Sequence, residues 1–323
     1  MTAVEVGLGF QSDKSPEEYE QLAQLAERGG ADVVVVYQDL FFQPAIYPLL
    51  LMARVTERVR LGPAGLNPFT LHPAEIAGQA AALDAASRGR AFLGLVRGSW
   101  LDELRLDTTR PVTAVREAIE VVTRLLAGDA SGFAGERFQL APGARLRYEP
   151  LRPVIPLMIG TWGERLAALA GTVAREVKIG GTANPALVPV MRKRVGNDEV
   201  AIVVGAVTVV DEDGSAARSR ARAEAALYFP VVAELDPTLG ARPEHAEQVR
   251  RLVDAGDRRA AGELIPDELL DRLAFSGTPE QVAAQARALY EAGAARVEFG
   301  TPHGLTDRRG VELLVSRVLP ALR

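Results

Sequence analysis

Eight short apolar, β-branched runs recur along the chain with helix-period segments between them, and this alternation restricts the fold more than any other feature. The runs cover residues 4–10, 32–37, 59–66, 90–96, 155–159, 176–179, 200–210 and 296–299. Units of strand, helix and strand at this length need a crossover connection, which implies parallel pairing. Parallel strands are covered on both faces and read apolar throughout, as Val33-Val34-Val35-Val36 does. An open doubly wound sheet would give the same local pattern. Eight units in 323 residues fit a closed barrel with an insertion, and no Gly-x-Gly-x-x-Gly follows the first run. The expected fold class is therefore α/β, a TIM (β/α)8 barrel, as a single domain over residues 1–323.

Local signals mark the helices. Ser15-Pro16-Glu17-Glu18 offers an N-cap, a proline in the first turn and acidic residues beside it, and Gly29-Gly30 stops that helix. Gly277-Thr278-Pro279-Glu280 repeats this opening before Val282, Ala286, Leu289 and Tyr290, and Gly293 closes it. One region breaks the rhythm. Asp213-Gly214-Ser215 caps an alanine-rich helix running toward Phe229-Pro230, after which no convincing strand is visible before Phe275, and residues 267–273 read as another short helix. A helical insertion over about residues 230–274 is expected, packed on the outside of the barrel or overhanging its mouth to shape a substrate pocket.

Composition excludes several classes. A hydrophobic content of 48% and a mean hydropathy of +0.05 allow a substantial core without a disordered block. Met1-Thr2-Ala3-Val4-Glu5 lacks the basic and then apolar pattern of a signal peptide, and no run approaches membrane-spanning length, so a cytoplasmic protein with no membrane partner is expected. The chain has no cysteine, which removes disulfides, thiolate nucleophiles and thiolate metal sites together. A net charge of −5 argues against nucleic-acid binding, so an anionic ligand would need local positive charge or helix N-termini. The three histidines, His72, His245 and His303, have no metal-ligand spacing. Neither a Gly-x-Ser-x-Gly elbow nor a phosphate-binding Walker loop is present.

Ligands of such barrels sit at the carboxyl ends of the strands, and five of these ends carry residues of interest. The third run ends in Leu61-Gly62-Pro63-Ala64-Gly65-Leu66-Asn67-Pro68-Phe69, able to hold an unusual backbone; Asn67 could bind a ring or simply start a turn. The fifth passes through Ile159-Gly160-Thr161-Trp162-Gly163-Glu164-Arg165 into a helix, whose N-terminal N–H groups would form an anion site. Lys178-Ile179-Gly180-Gly181-Thr182 ends the sixth. A buried Lys178 needs a counter-charge, from a ligand or from a core carboxylate. The fourth delivers Arg97, Gly98, Ser99 and Trp100 to the same face, and His303 follows the eighth as a proton donor or a polar rim residue.

Together, Phe10, Asp39, the 61–68 strand end, Ser87-Arg88-Gly89-Arg90, Ile159-Gly160-Thr161-Trp162-Gly163, Phe275-Ser276-Gly277-Thr278-Pro279 and Gly300-Thr301-Pro302 resemble the bacterial-luciferase-like superfamily. Within it the chain is most similar to coenzyme F420-dependent methylenetetrahydromethanopterin reductases. The resemblance implies a barrel that binds a deazaflavin, or alternatively FMN, at its carboxyl rim. It also implies a bulge whose non-prolyl cis peptide, here Ala64–Gly65, presses on the ring face; an ordinary trans bulge is the alternative. Gly9, Phe10, Asp39, Asn67, Arg97, Gly98, Ser99, Gly160 to Gly163, Lys178 and Gly180 to Thr182 are the implied cofactor contacts.

Two departures from the resemblance concern proton transfer. The reductases commonly place an acidic group where this chain has Gly9, and related dehydrogenases a histidine where it has Leu40. Asp39, Gln11, Glu103 and His303 are the nearest substitutes, with Asp39 best placed and His303 second in the catalytic assignment. The expected activity is hydride transfer between coenzyme F420 and a small organic substrate. An FMN-dependent monooxygenase and a noncatalytic flavin-binding relative are the alternatives. A homodimer is expected, with the apolar helix around Tyr47-Pro48-Leu49-Leu50-Leu51-Met52 as a pairing surface or as packing on the barrel.

Overall fold

The computed structural model describes residues 4–323, so the Met1–Ala3 part of the N-terminal reading lies outside the described residues. Eight parallel strands close a barrel: Glu5–Phe10, Val33–Val36, Arg60–Pro63, Leu93–Val96, Leu157–Gly160, Glu176–Gly180, Ala201–Val210 and Arg296–Gly304, here called the first to the eighth. The first strand pairs with the second and the eighth, with Gly7 opposite both Val33 and Glu298. Closure falls between the third and fourth strands through the bridges Leu61 to Ala91 and Leu66 to Leu95. Each strand matches an apolar run in the sequence.

Helix caps follow the sequence signals. The Ser15 hydroxyl accepts from Glu18 N at 3.3 Å while Glu18 accepts from Ser15 N at 2.9 Å, a reciprocal capping box, and Thr278 with Gln281 forms a second. Asp213 accepts from the backbone of Ser215 and Ala216.

Two elements go beyond the sequence reading. A further parallel strand, Ala274–Gly277, pairs with the Val207–Val210 half of the seventh strand, above the level at which the sixth has left it. A short hairpin of Phe133–Ala134 and Gln139–Leu140 lies in the connection between the fourth and fifth strands. Its turn is held by the buried Glu117 carboxylate, which accepts from the backbone of Glu136, Arg137 and Phe138. Burial alone would raise this carboxyl, but the backbone donors hold it below its ordinary value.

After the seventh strand come helices Gly214–Ala225, Phe229–Leu235, Pro243–Asp254, Arg258–Glu263 and Asp267–Leu273. They enclose a second apolar cluster that includes Ala221, Phe229, Leu239, Val249 and Leu270 and continues into Val207 and Val209 of the seventh strand. The excursion thus packs on the barrel and also overhangs its mouth, because Tyr228 and Val232 come against Gly181 at the end of the sixth strand.

The barrel interior departs from the expectation of apolar strands. The guanidinium of Arg296, 1% exposed, binds both oxygens of Glu176 at 2.9 and 2.7 Å and reaches Glu298 at 3.0 Å. Arg60 joins Glu176 to Glu5, and Lys178 binds Glu298. Outward faces of these strands are apolar, while the inward positions form a charge-alternating ladder. Three acids and three bases neutralise one another, which makes their burial tolerable. Gly7 gives the ladder room, since a Cβ there would lie 2.6 Å from Glu298 Cγ.

Among the described residues, no helix is long and apolar enough to cross a membrane, and no group of three or more His, Asp or Glu is placed to hold a metal ion. Helix Ile46–Arg54 buries Pro48, Leu49, Met52 and Ala53 against the barrel and leaves Tyr47 exposed.

Candidate active site

The third strand ends in a bulge whose Ala64–Gly65 peptide is cis. Ala64 N donates to Val36 O, and Leu66 N to Gly94 O, so neighbouring strands hold the bulge from both sides. The close approach requires glycine. A Cβ on Gly94 would stand 2.0 Å from Pro63 O, and one on Gly65 2.9 Å from Gly94 O. A second cis bond, Thr301–Pro302, lies in the eighth strand where its pairing with the seventh shifts register.

Beside the bulge stands Tyr37, absent from the sequence-based candidates. Tyr37 and Ala64 pack on inward Val33, Val35, Phe92 and Met158. The Tyr37 hydroxyl lies 2.2 Å from where a Cβ of Gly9 would be and 2.6 Å from that of Gly300. Two inward glycines on adjacent strands thus make the notch that the phenol fills. Gly9, expected as a cofactor contact, acts here by lacking a side chain. The Lys178 ammonium lies 5.3 Å from the Tyr37 ring centroid. Burial pushes the phenol well above its ordinary range, with Glu298, Tyr228 and Asp39 adding to the effect.

Asp39, half-buried after the second strand, accepts from Gln11 Nε2 at 3.0 Å. Burial raises its carboxyl, and the Gln11 bond opposes this. Tyr228, from the helical excursion, is pushed up to about 12 by burial and by Asp39. The first and second strand ends and the overhanging excursion therefore converge on one polar cluster.

Across the mouth, the fifth strand passes through Gly160 and Thr161 into helix Glu164–Val173. Thr161 Oγ1 accepts from Gly163 N at 3.0 Å, Trp162 Nε1 donates to Gly180 O at 3.2 Å, and Arg194 donates to Trp162 O at 2.8 Å. Gly163 provides no side-chain cap, which leaves helix N–H groups for an anion. Apart from chain neighbours, no atom comes within 4 Å of a Cβ built on Gly180, and only Thr161 Oγ1, at 3.8 Å, comes near one on Gly163. This rim is open at Gly163 and Gly180, and its backbone N–H groups and the Thr161 hydroxyl suit the phosphate of a cofactor tail.

Four of the expected site residues have other partners in the structure, two of them in the alternative role that the sequence already allowed. Lys178 is engaged by the core carboxylate of Glu298, as a buried ammonium requires, and does not reach the rim. Asn67 starts a turn: its Oδ1 accepts from Phe69 N, Thr70 N and the Thr70 hydroxyl, with Gly98 packed against its amide. Thr182 is buried, and its hydroxyl donates to Arg272 O. His303 is no rim residue. It is 0% exposed, its ring lies 5.1 Å from that of Phe10, and neither nitrogen has a hydrogen-bond partner among the described residues. Burial lowers it to about 4, so the imidazole is neutral and poorly suited to donate a proton.

Arg97 and Ser99 are exposed in the turn after the fourth strand, where Gly98 has φ +93°, and Trp100 beside them is 51% exposed. Glu103, in the short turn of helix Leu101–Leu104, is exposed as well. Gly180 and Gly181 lie at the mouth, the latter at φ +82°.

Comparison with known proteins agrees with this architecture. A family model described as luciferase-like monooxygenase matches residues 1–296. A 5,10-methylenetetrahydromethanopterin reductase of Archaeoglobus fulgidus is 28% identical, with 98% of this chain and 99% of that protein covered. An F420-dependent glucose-6-phosphate dehydrogenase of Nocardia farcinica is 26% identical over 98% of both chains. The solved coenzyme F420 dependent tetrahydromethanopterin reductase of Methanopyrus kandleri superposes with a TM-score of 0.89 at 25% identity, covering 100% of both chains.

Proposed function

The chain belongs to the luciferase-like monooxygenase family, and from that premise we propose that it is a coenzyme F420-dependent oxidoreductase, transferring hydride between the deazaflavin and a small organic substrate. The observation that carries this reading is the open carboxyl rim: bulge backbone at Ala64–Gly65 on one side, and an uncapped helix start at Gly163 with the bare Gly180 on the other. End-to-end similarity to the F420-dependent relatives supports the same cofactor.

In this reading the Ala64–Gly65 peptide supports one ring face, and Gly160, Thr161, Trp162, Gly163, Gly180 and Gly181 line the opposite wall; Phe10, expected as a contact, is fully buried on the outward face of the first strand against His303 and takes no part. The helix N-terminus at Gly163 takes the phosphate. Arg97 and Ser99, exposed on the fourth-strand turn on either side of half-buried Gly98, border the acidic tail. Asp39, desolvated and oriented by Gln11, orders polar groups of the substrate. The bound deazaflavin supplies the hydride, and the protein supplies alignment, which can lower a barrier by about 7–11 kcal/mol. The enclosing excursion that brings Tyr228 over the mouth restricts water.

The reading extends to a homodimer in the cytoplasm, supported by exposed Tyr47 beside half-buried Leu50 and Leu51 and by the lack of cysteine. Calorimetric titration with coenzyme F420 and, separately, with FMN tests the cofactor. Saturable binding of the deazaflavin with weaker binding of FMN is expected. Binding of FMN alone would establish the monooxygenase alternative, and no affinity for the deazaflavin would overturn the proposal.

A further inference from the structure

We propose, resting on the deazaflavin reading above, that the Tyr37 hydroxyl is the proton donor to the substrate, and that the substrate takes hydride at a carbonyl or imine carbon. The case is geometric. Residues 7 and 9 of the first strand and 296, 298 and 300 of the eighth alternate into the barrel, and the ladder of Arg296 and Glu298 fills the lower levels. One level above, both inward positions are glycine, and the Tyr37 phenol crosses from the second strand into the space they leave. It forms the floor of the mouth, and its ring packs on the same residues, Val33, Val35, Phe92 and Met158, as Ala64 of the bulge. The proposal seats the substrate, stacked on a ring above that bulge, within reach of this hydroxyl.

The other titratable groups at the mouth are less suited. Asp39 has an oxygen engaged by Gln11, His303 is sealed behind Phe10, and Lys178 is paired with Glu298. Tyr228 reaches in from the excursion, on the Gly181 side. The groups facing Tyr37 are the Lys178 ammonium, the Glu298 and Asp39 carboxylates and the Tyr228 phenol. Their sum, with burial, keeps Tyr37 protonated at physiological pH, so it is a donor and not a base.

The chemistry balances as follows. The substrate carbon gains a C–H bond with the hydride from the reduced deazaflavin, the C=O or C=N π bond breaks, and its electron pair takes the phenolic proton to give an alcohol or amine. The phenolate left behind faces the Lys178 ammonium and is reprotonated from water at the half-buried mouth. A carbonyl or imine meets the requirement because its heteroatom accepts a hydrogen bond before the transfer and a proton during it.

Tyr37→Phe tests this, since phenylalanine keeps the ring, its packing and its contact with Lys178. Binding of oxidised coenzyme F420 is measured first, by its fluorescence, and equal affinity for wild type and variant is expected. Reduced coenzyme F420 bound to each protein is then mixed with a panel of simple aldehydes, ketones and cyclic imines. Wild type is expected to oxidise it with at least one class, and Tyr37→Phe to do so about a hundredfold more slowly. A solvent deuterium isotope effect should be present in wild type and lost in the variant. With tyrosine labelled at Cζ, the resonance missing from Tyr37→Phe should move when acetone is added to the oxidised complex. Equal rates in both proteins, an unmoved resonance, or no reaction with any panel member would overturn the proposal. Failure of wild type to bind the deazaflavin would instead overturn the cofactor reading, and this proposal with it.

Discussion

The ammonium of Lys178 stands 5.3 Å from the centre of the Tyr37 ring while its charge is paired with Glu298 below. One lysine thus joins two layers of the barrel: the charged ladder that fills the interior and the polar floor of the mouth. Stability and site chemistry meet at this residue, so changes there should affect both.

Lys178→Met leaves the buried Glu298 carboxylate with Arg296 as its one remaining partner and the ladder with one negative charge uncompensated, and should destabilise the fold by about 3–5 kcal/mol. Urea unfolding measures it. The double variant Lys178→Met with Glu298→Leu should recover much of the loss, because no charge then remains unpaired.

Acid should unfold the protein through the same ladder. Glu298 and Glu176 are desolvated, yet the charges of Lys178 and Arg296 for the first, and of Arg296 and Arg60 for the second, hold both below their ordinary value of 4.5. A carboxyl lowered in the folded state stabilises above the unfolded value, and that contribution is lost as pH falls through the folded one. Unfolding free energy should therefore fall steadily below about pH 4.5, and less steeply in Glu298→Gln.

His303 should set a second, milder limb. Its folded value of about 4 lies below the ordinary 6.5, so the unfolded chain binds the extra proton and stability falls between these two pH values. The difference corresponds to roughly 3 kcal/mol. In His303→Gln the limb between pH 6.5 and 4 should disappear from a series of denaturation curves, while cofactor affinity at neutral pH stays unchanged.

Gly94 and Gly180 should respond differently to alanine. Gly94→Ala drives a Cβ into Pro63 O and should cost about 1–3 kcal/mol or more of stability. Gly180→Ala meets open space and should leave the melting temperature within about a degree, since such a surface change is worth less than about 0.5 kcal/mol. It narrows the rim, so its effect should show in deazaflavin titration as at least several-fold weaker binding.

Much of the scaffold was legible in the sequence because it is written locally. The helix starts at Ser15 and Thr278, the strand runs and the glycine-rich ends at 61–65 and 159–163 are read within a few residues, and the resemblance located the cis peptide at Ala64–Gly65. What escaped is non-local. Lys178 and Glu298 are 120 residues apart, so no window shows which of two partners the ammonium takes. Tyr37 is directed inward by the absence of side chains at Gly9 and Gly300, a fact that belongs to three strands at once. His303 reads as a rim polar until the ring of Phe10 is packed on it. The signal that was available for Tyr37 is the alternation Val33, Val35, Tyr37, which sets it on the inward face.

The most direct test of the account is a crystal structure of the protein with coenzyme F420. The account expects the tricyclic ring in van der Waals contact with the Ala64–Gly65 peptide, its phosphate at the helix start by Gly163, and the Tyr37 hydroxyl facing the space left for substrate. A ring bound elsewhere, or a rim closed by side chains over that peptide, would contradict it.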